Sequence, residues 1–321
     1  MLVYSITIIA GFLLLVWGAD RFVLGASATA QNLGVSPLLI GMTIVGFGTS
    51  APEILVSANA ALSGSPGLAV GNAIGSNIAN IALILGATAL VMPLTIRSAT
   101  LRGELRMLLA ATFGATLPFV DGRLSRLDGL ALLAGLGLMI YLLIRLGVRS
   151  RISDPMLAEV EAEIRHDINM PTAMMWLAVG LVVLLGASRA LVWAAVGIAE
   201  ALGVSDLVIG LTVVAIGTSL PELAASLTAA VRNEHDLAIG NVIGSNMYNL
   251  LAVLGVAGVL APLNIERHVL IRDIPLMIAL TLVLFVMSLN YRGKGRITRL
   301  EGLALLVTFV AYQLFVLMDV S

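Results

Sequence analysis

Residues 33–53 read LGVSPLLIGMTIVGFGTSAPE, and residues 202–222 read LGVSDLVIGLTVVAIGTSLPE. The two lines are one motif written twice, 169 residues apart. Each runs through a hydrophobic stretch, loosens at Gly-Thr-Ser and ends on Pro-Glu. The match continues without a gap from Leu33–Gly86 to Leu202–Gly255, with about half of the positions identical, and includes GNAIGSN (71–77) against GNVIGSN (240–246). It returns where GRLSRLDGLALL from Gly122 matches GRITRLEGLALL from Gly295. A repeat of this length means one structural unit used twice.

The surroundings of the motif are apolar. Of the 321 residues, 59% are hydrophobic and 12% charged, against about 25% charged in a typical soluble domain. A bilayer core about 30 Å thick needs roughly 20 apolar residues per helix. Cutting the chain at its polar punctuation gives ten such stretches, centred near Leu15, Phe47, Leu83, Thr112, Leu136, Leu184, Gly217, Leu250, Leu280 and Val310. The expected fold is an all-α integral membrane protein with ten transmembrane helices in two five-helix repeats, residues 1–148 and 172–321. Because five is odd, the second repeat enters the membrane inverted, which is the plan of secondary transporters. Residues 149–171 form the one sizeable polar linker, with a short solvated helix expected over 156–164 after Ser153-Asp154-Pro155. Ala28-Thr29-Ala30 has the form of a signal-peptide cleavage site, but no basic flank precedes the apolar stretch and Asp20-Arg21 interrupts it. It reads as a retained first helix.

Charge distribution sets an orientation. Arg97, Arg102, Arg106, the linker arginines, Arg232 and the Arg292-Lys294-Arg296-Arg299 cluster fall on one side of a ten-helix layout; Arg123, Arg126, Arg267 and Arg272 fall on the other. The positive-inside rule then places the linker in the cytoplasm and both termini outside, in a membrane of prokaryotic inner-membrane type. Ser125-x-x-Asp128 and Thr298-x-x-Glu301 read as matching capping boxes of the fifth and tenth helices.

Glu53 and Glu222 lie inside apolar segments. A carboxylate at bilayer depth costs about 2.5–3.5 kcal/mol on insertion scales. Neither segment carries a Lys or Arg to offset that cost, so an external cation is the expected partner. Thr49 and Ser50 precede Glu53 by four and three residues, and Thr218 and Ser219 precede Glu222 likewise, which puts their hydroxyls near each carboxylate's face. Pro52 and Pro221 disturb the preceding turn, which Gly46, Gly48 and Gly217 also loosen. Broken helices free backbone carbonyls, tolerated at membrane depth where they line a cavity or meet an ion. Ser76 with Asn80, and Ser245 with Asn249, share helix faces four residues apart. Gly71-x-x-x-Gly75 and Gly240-x-x-x-Gly244 allow close helix approach. Asn72, Asn77, Asn241 and Asn246 fit either an outer shell of the site or plain interhelical bonding.

This donor set of carboxylates, hydroxyls, amides and carbonyls suits a hard cation, and Ca²⁺ takes six to eight such oxygens. The chain has no cysteine, and His166, His235 and His268 all fall in polar connections, which disfavours softer metals. No basic run points to nucleic acid, and no cofactor or obligatory protein partner is implied beyond the lipid bilayer. The Gly46–Ser50 stretch lacks the lysine of a phosphate-binding loop. Asp20-Arg21 fits a structural or interfacial pair, or a gate.

GFGTSAPE (46–53) with GNAIGSNIAN (71–80), and AIGTSLPE (215–222) with GNVIGSNMYN (240–249), resemble the two α-repeats of the sodium/calcium exchanger family. The resemblance spans the whole chain. It implies a Na⁺/Ca²⁺ antiporter rather than an enzyme. Glu53 and Glu222 would bind Ca²⁺ with Thr49, Thr218 and nearby carbonyls, those of Gly46 and Ala215. Ser50, Ser76, Ser219, Ser245, Asn80 and Asn249 would form Na⁺ subsites. It also implies that the first and sixth helices slide past a fixed core. The potassium-dependent branch carries Asp at the position of Asn249, so two amides at 80 and 249 argue against K⁺ coupling. Proton-coupled Ca²⁺ antiport on the same scaffold, and a passive cation channel, stay open as alternatives.

Overall fold

The computed structural model describes residues 1–64, 66–95, 101–152, 168–203, 215–288 and 295–320. The expected linker helix over 156–164, and Arg97, Arg292 and Lys294, lie outside them. Among the described residues the regular structure is helical apart from two very short antiparallel ladders. In order the helices are α1 (Leu2–Leu33), α2 (Pro37–Thr49), α3 (Ala51–Leu62), α4 (Gly67–Val91), α5 (Leu101–Thr116), α6 (Arg126–Ile152), α7 (Met170–Ala201), α8 (Ala215–Thr218), α9 (Leu220–Val231), α10 (His235–Leu260), α11 (Val269–Ser288) and α12 (Arg299–Val320).

Local chemistry sets the boundaries. α1 ends on Gly34, whose φ of 59° lets the chain turn back while Val35 N–H bonds the Ala30 carbonyl. Ser36 caps α2 through a bond from Leu39 N–H to its Oγ, with Pro37 at the first helical position. Both capping boxes form. Ser125 N–H meets Asp128 Oδ2 at 2.8 Å and Thr298 N–H meets Glu301 Oε2 at 2.7 Å, with the return bonds to Ser125 Oγ and Thr298 Oγ1 both 3.3 Å.

Ten crossings are expected from the sequence; seven helices among the described residues are long and apolar enough to cross alone. The bent pair α2–α3, with a 42° angle at its break, makes an eighth. α5 has 16 residues and α9 has 12, and the residues ahead of α8 lie outside those described. The two missing crossings are therefore α5, short of the roughly 20 residues a crossing needs, and the stretch of α8 and α9, broken before Pro221 and described only from Ala215 onward.

Enclosure sorts the helices. In its most apolar window α10 buries 89% of residues and α4 72%, against 22% for α1, α6 and α12. α4 and α10 therefore form the centre, and both carry a wider π-turn at equivalent positions, Asn80–Leu85 and Asn249–Val253. Such turns expose backbone groups and cluster at functional sites. The ladders run between the copies. Leu94–Thr95 pairs with Arg296–Ile297, and Arg123–Leu124 with Leu263–Asn264. Leu94 and Leu263 are themselves 169 apart, so each copy lends one strand to each ladder.

Candidate ion-binding site

The helix breaks fall where the motif places Ser50 and Ser219, at φ/ψ of −84°/1° and −87°/2°. Nearly identical backbone angles in the two copies mean that one turn is built twice. Each proline follows its serine by two residues and cannot donate back into the preceding helix, so the turn opens there. Glu53 and Glu222 sit one residue further, in the first turn of α3 and α9, and are 1% and 2% exposed.

The halves are joined by side chains. Ser50 Oγ donates to Glu222 Oε1 at 3.2 Å, so the hydroxyl of one copy meets the carboxylate of the other. Thr49 Oγ1 donates to Asn241 Oδ1 at 3.1 Å and lies 3.4 Å from Ser245 Oγ. The Gly46 carbonyl lies 3.5 Å from both Thr49 Oγ1 and Ser245 Oγ. This crossing is close because a Cβ on Gly244 would stand 2.5 Å from the Met42 carbonyl oxygen; only glycine lets α2 lie on α10. The expected Gly240–Gly244 approach is met here, whereas a Cβ on Gly71 or Gly75 would meet nothing within 4 Å among the described residues.

Two amide brackets, left open by the sequence, hold the carboxylate helices. Asn72 Nδ2 donates to the Glu53 carbonyl at 3.2 Å and to Ser57 Oγ at 2.9 Å. Asn241 Nδ2 donates to the Glu222 carbonyl at 3.3 Å and to Ser226 Oγ at 2.9 Å. Ser57 and Ser226 were not singled out from the sequence, although each stands four residues after its glutamate and both are serine. A second amide pairing crosses the copies at the π-turns. Asn80 Nδ2 donates to Asn246 Oδ1 at 3.0 Å, and Asn249 Nδ2 to Asn77 Oδ1 at 3.5 Å. All four of these amides are 1% exposed.

Thr49, Ser50, Glu53, Glu222, Asn241 and Ser245 are thus brought into one connected cluster, flanked by Asn80 and Asn249. Ser76 and Ser219 are buried beside it. Thr218 is partly buried, with a partner of its own, and the side chain of Ala215 lies outside the description.

Among the described residues, four oxygens in and beside this cluster are buried with no hydrogen-bond partner: Glu53 Oε2, Glu222 Oε2, Ser219 Oγ and Asn249 Oδ1. Burying an unsatisfied acceptor costs about 1–3 kcal/mol, and more for a charged one. The two carboxylates also repel each other. A cation between the two carboxylates would satisfy their free oxygens and offset the repulsion. Among the described residues no three His, Cys, Asp or Glu side chains gather, so the donors are two carboxylates with hydroxyls and amides. That chemistry fits a hard cation carried as cargo. The Asp20-Arg21 pair lies apart from this cluster: Asp20 binds Arg232, and the Arg21 guanidinium stacks 4.7 Å from the Trp176 ring.

A helical membrane core wrapped around a buried, carboxylate-centred polar cluster defines an integral membrane protein of the ion-handling class. Residues 3–145 and 172–318 match the family model described as sodium/calcium exchanger protein, and the chain belongs to the sodium/calcium exchanger family. It is 49% identical to the candidate antiporter CaxA of Alkalimonas amylolytica, over 98% of both chains. It is 40% identical to inner membrane protein YrbG of Escherichia coli over 88% of each, and 32% identical to sodium/calcium exchanger MaX1 of Methanosarcina acetivorans over 95% and 96%. The solved structure of the sodium-calcium exchanger NCX_Mj, soaked with 2.5 mM Na⁺ and 0.1 mM Ca²⁺, superposes with a TM-score of 0.83 at 33% identity, covering 97% of each chain. Family and fold are those of membrane exchangers, not of catalysts.

Proposed function

We propose that the chain is a secondary-active antiporter that exchanges Na⁺ for Ca²⁺ by alternating access, with Glu53 and Glu222 as its central ligands. The observation that carries this reading is the pair of enclosed carboxylates, one from each copy, each with an oxygen that has no hydrogen-bond partner among the described residues. Two carboxylates balance one Ca²⁺. Mg²⁺ fits less well, because it dehydrates reluctantly and keeps its waters. Thr49, Thr218 and the carbonyls of Gly46 and Ala215 complete the Ca²⁺ shell; Ser50, Ser76, Ser219, Ser245, Asn80 and Asn249 supply Na⁺ subsites. Because both ions need the same carboxylates, their occupancies exclude each other, as exchange requires.

The architecture of this reading is ten crossings in two inverted halves, residues 1–148 and 172–321, joined by a cytoplasmic linker at 149–171 with both termini outside. Supporting it are the constant offset, the matched breaks at Ser50 and Ser219, the matched π-turns, and ladders that each take one strand from either half. An inverted repeat favours alternation between two faces over an open pore. A bacterial relative named as an inner membrane protein agrees with that location.

The test is ⁴⁵Ca²⁺ uptake into liposomes holding the purified protein, driven by an outward Na⁺ gradient and, separately, by an outward H⁺ gradient. Uptake with Na⁺ alone, lost in Glu53→Gln and Glu222→Gln, is expected. Uptake with H⁺ alone would keep the site and replace the coupling ion. No driven uptake by folded protein would end the Ca²⁺ antiport reading.

A further inference from the structure

Besides packing along α7, α1 meets the corner between α9 and α10 through charged and polar side chains in its C-terminal half. Arg232, just past α9, donates through Nε to Asp20 Oδ1 at 2.8 Å, and its Nη2 reaches the same oxygen. Two turns further along α1, Ser27 Oγ donates to Glu234 Oε1 at 2.6 Å. Residues seven apart share a helix face, so both contacts clamp one side of α1 to the corner between α9 and α10. Asn233, at φ 63°, makes that corner tight.

α1 does not stand alone against this corner. A Cβ on Gly25 would lie 2.3 Å from Leu177 N, and one on Gly180 would lie 2.3 Å from Phe22 N. With Arg21 stacked on Trp176, α1 and α7 therefore move as one body. Near the other end of α1 an apolar cavity of about 270 Å³, lined by Ile8, Phe12, Leu191, Val192, Ile216 and Gly217, lies beside α8, which the pair meets through Val192 and Ser188 without a charged group.

The repeat makes the difference between the two ends informative. The constant offset of 169 puts Arg189 in the place of Asp20. It likewise puts Ser63 in the place of Arg232 and Ser65 in the place of Glu234. An arginine and two serines cannot form this ion pair, and Ser188 beside that arginine bonds the Gly217 carbonyl at 3.0 Å. The site motifs are duplicated; the charges at this corner are not.

We propose that Asp20, Arg232, Ser27 and Glu234 form a one-sided latch. It holds the α1–α7 pair against the α9–α10 corner, so that at rest the carboxylates are shut off from this face. The inference rests on the alternating-access reading above, in which this face is cytoplasmic.

The chain has no cysteine, which allows a single reporter. Ala30 lies one turn beyond Ser27 on the same face of α1 and is fully buried. Ala30→Cys protein in lipid nanodiscs, open to both faces, is treated with a membrane-impermeant maleimide. Asp20→Asn, Arg232→Gln and Glu234→Gln, each confirmed as folded by thermal melting, are expected to speed modification roughly threefold or more, as loss of one partly exposed ion pair allows. Exchanging the charges, Asp20→Arg with Arg232→Asp, is expected to restore the slow rate. Unchanged modification in the folded single variants, or no recovery on charge exchange, overturns the latch. The assay needs no transport: faster modification without Na⁺-driven Ca²⁺ uptake keeps the latch and discards the antiport reading, whereas normal uptake with unchanged modification does the reverse.

Discussion

The helices around Glu53 and those around Glu222 are one device built twice, whereas their surroundings have diverged. Asn72 and Asn241 hold their carboxylate helices with bonds that agree within 0.1 Å. The corners that follow carry Ser63-Gly64-Ser65 in one copy and Arg232-Asn233-Glu234 in the other. The flanks differ too, since Phe47 packs edge-on against Tyr248 at 5.5 Å where the counterparts are Ile216 and Ala79. On the antiport reading proposed above, a site serving both faces looks alike from each, so its ligands keep the symmetry. Elements that decide which face is open gain from losing it.

The sharpest way to break this comparison is to damage one copy at a time. Glu53→Gln and Glu222→Gln should each reduce exchange to the level of empty liposomes, because an amide cannot balance the charge of a cation. Exchange surviving in one of them would mean that the halves are not equivalent at the centre. Next in size are the brackets. Asn72→Ala and Asn241→Ala each leave a buried carbonyl and a serine hydroxyl without a donor, which should cost about 1–3 kcal/mol in a thermal or denaturant melt. Asn241→Ala should also weaken Ca²⁺ binding, because Thr49 loses the acceptor that orients its hydroxyl.

A smaller effect separates the two π-turns. Asn80→Ala removes a 3.0 Å bond and Asn249→Ala a 3.5 Å one, so the first should lower the melting temperature more. An equal loss would mean that the longer bond is not the weaker. Smallest are the caps. Ser125→Ala and Thr298→Ala should each cost about 0.5–2 kcal/mol of stability and leave exchange unchanged, with equal effects if the copies fold alike.

Much of this was legible in the sequence, for reasons of spacing. The glutamates, the hydroxyls three and four residues before them, the prolines and the capping boxes are all local patterns, and local geometry follows from them. What could not be read were contacts between groups about 200 residues apart. Thr49 with Asn241, Ser50 with Glu222 and Asp20 with Arg232 depend on how α1, α2, α9 and α10 pack, which no periodicity encodes. The bracketing serines left a signal, identity across the repeat at 57 and 226, but a serine four residues past a glutamate has many uses. The count of crossings also depends on packing, since a helix broken at Ser50 or Ser219 reads as continuous apolar sequence.

The central claim, that one carboxylate pair is shared by two competing cations, is tested most directly by equilibrium binding. ⁴⁵Ca²⁺ binding to the purified protein in nanodiscs, titrated with NaCl against an equal ionic strength of choline chloride, should show Ca²⁺ displaced by Na⁺ and not by choline. Either Glu→Gln substitution should abolish the Ca²⁺ signal. Ca²⁺ binding that persists in Glu53→Gln and Glu222→Gln, or that Na⁺ leaves untouched, would contradict the shared site.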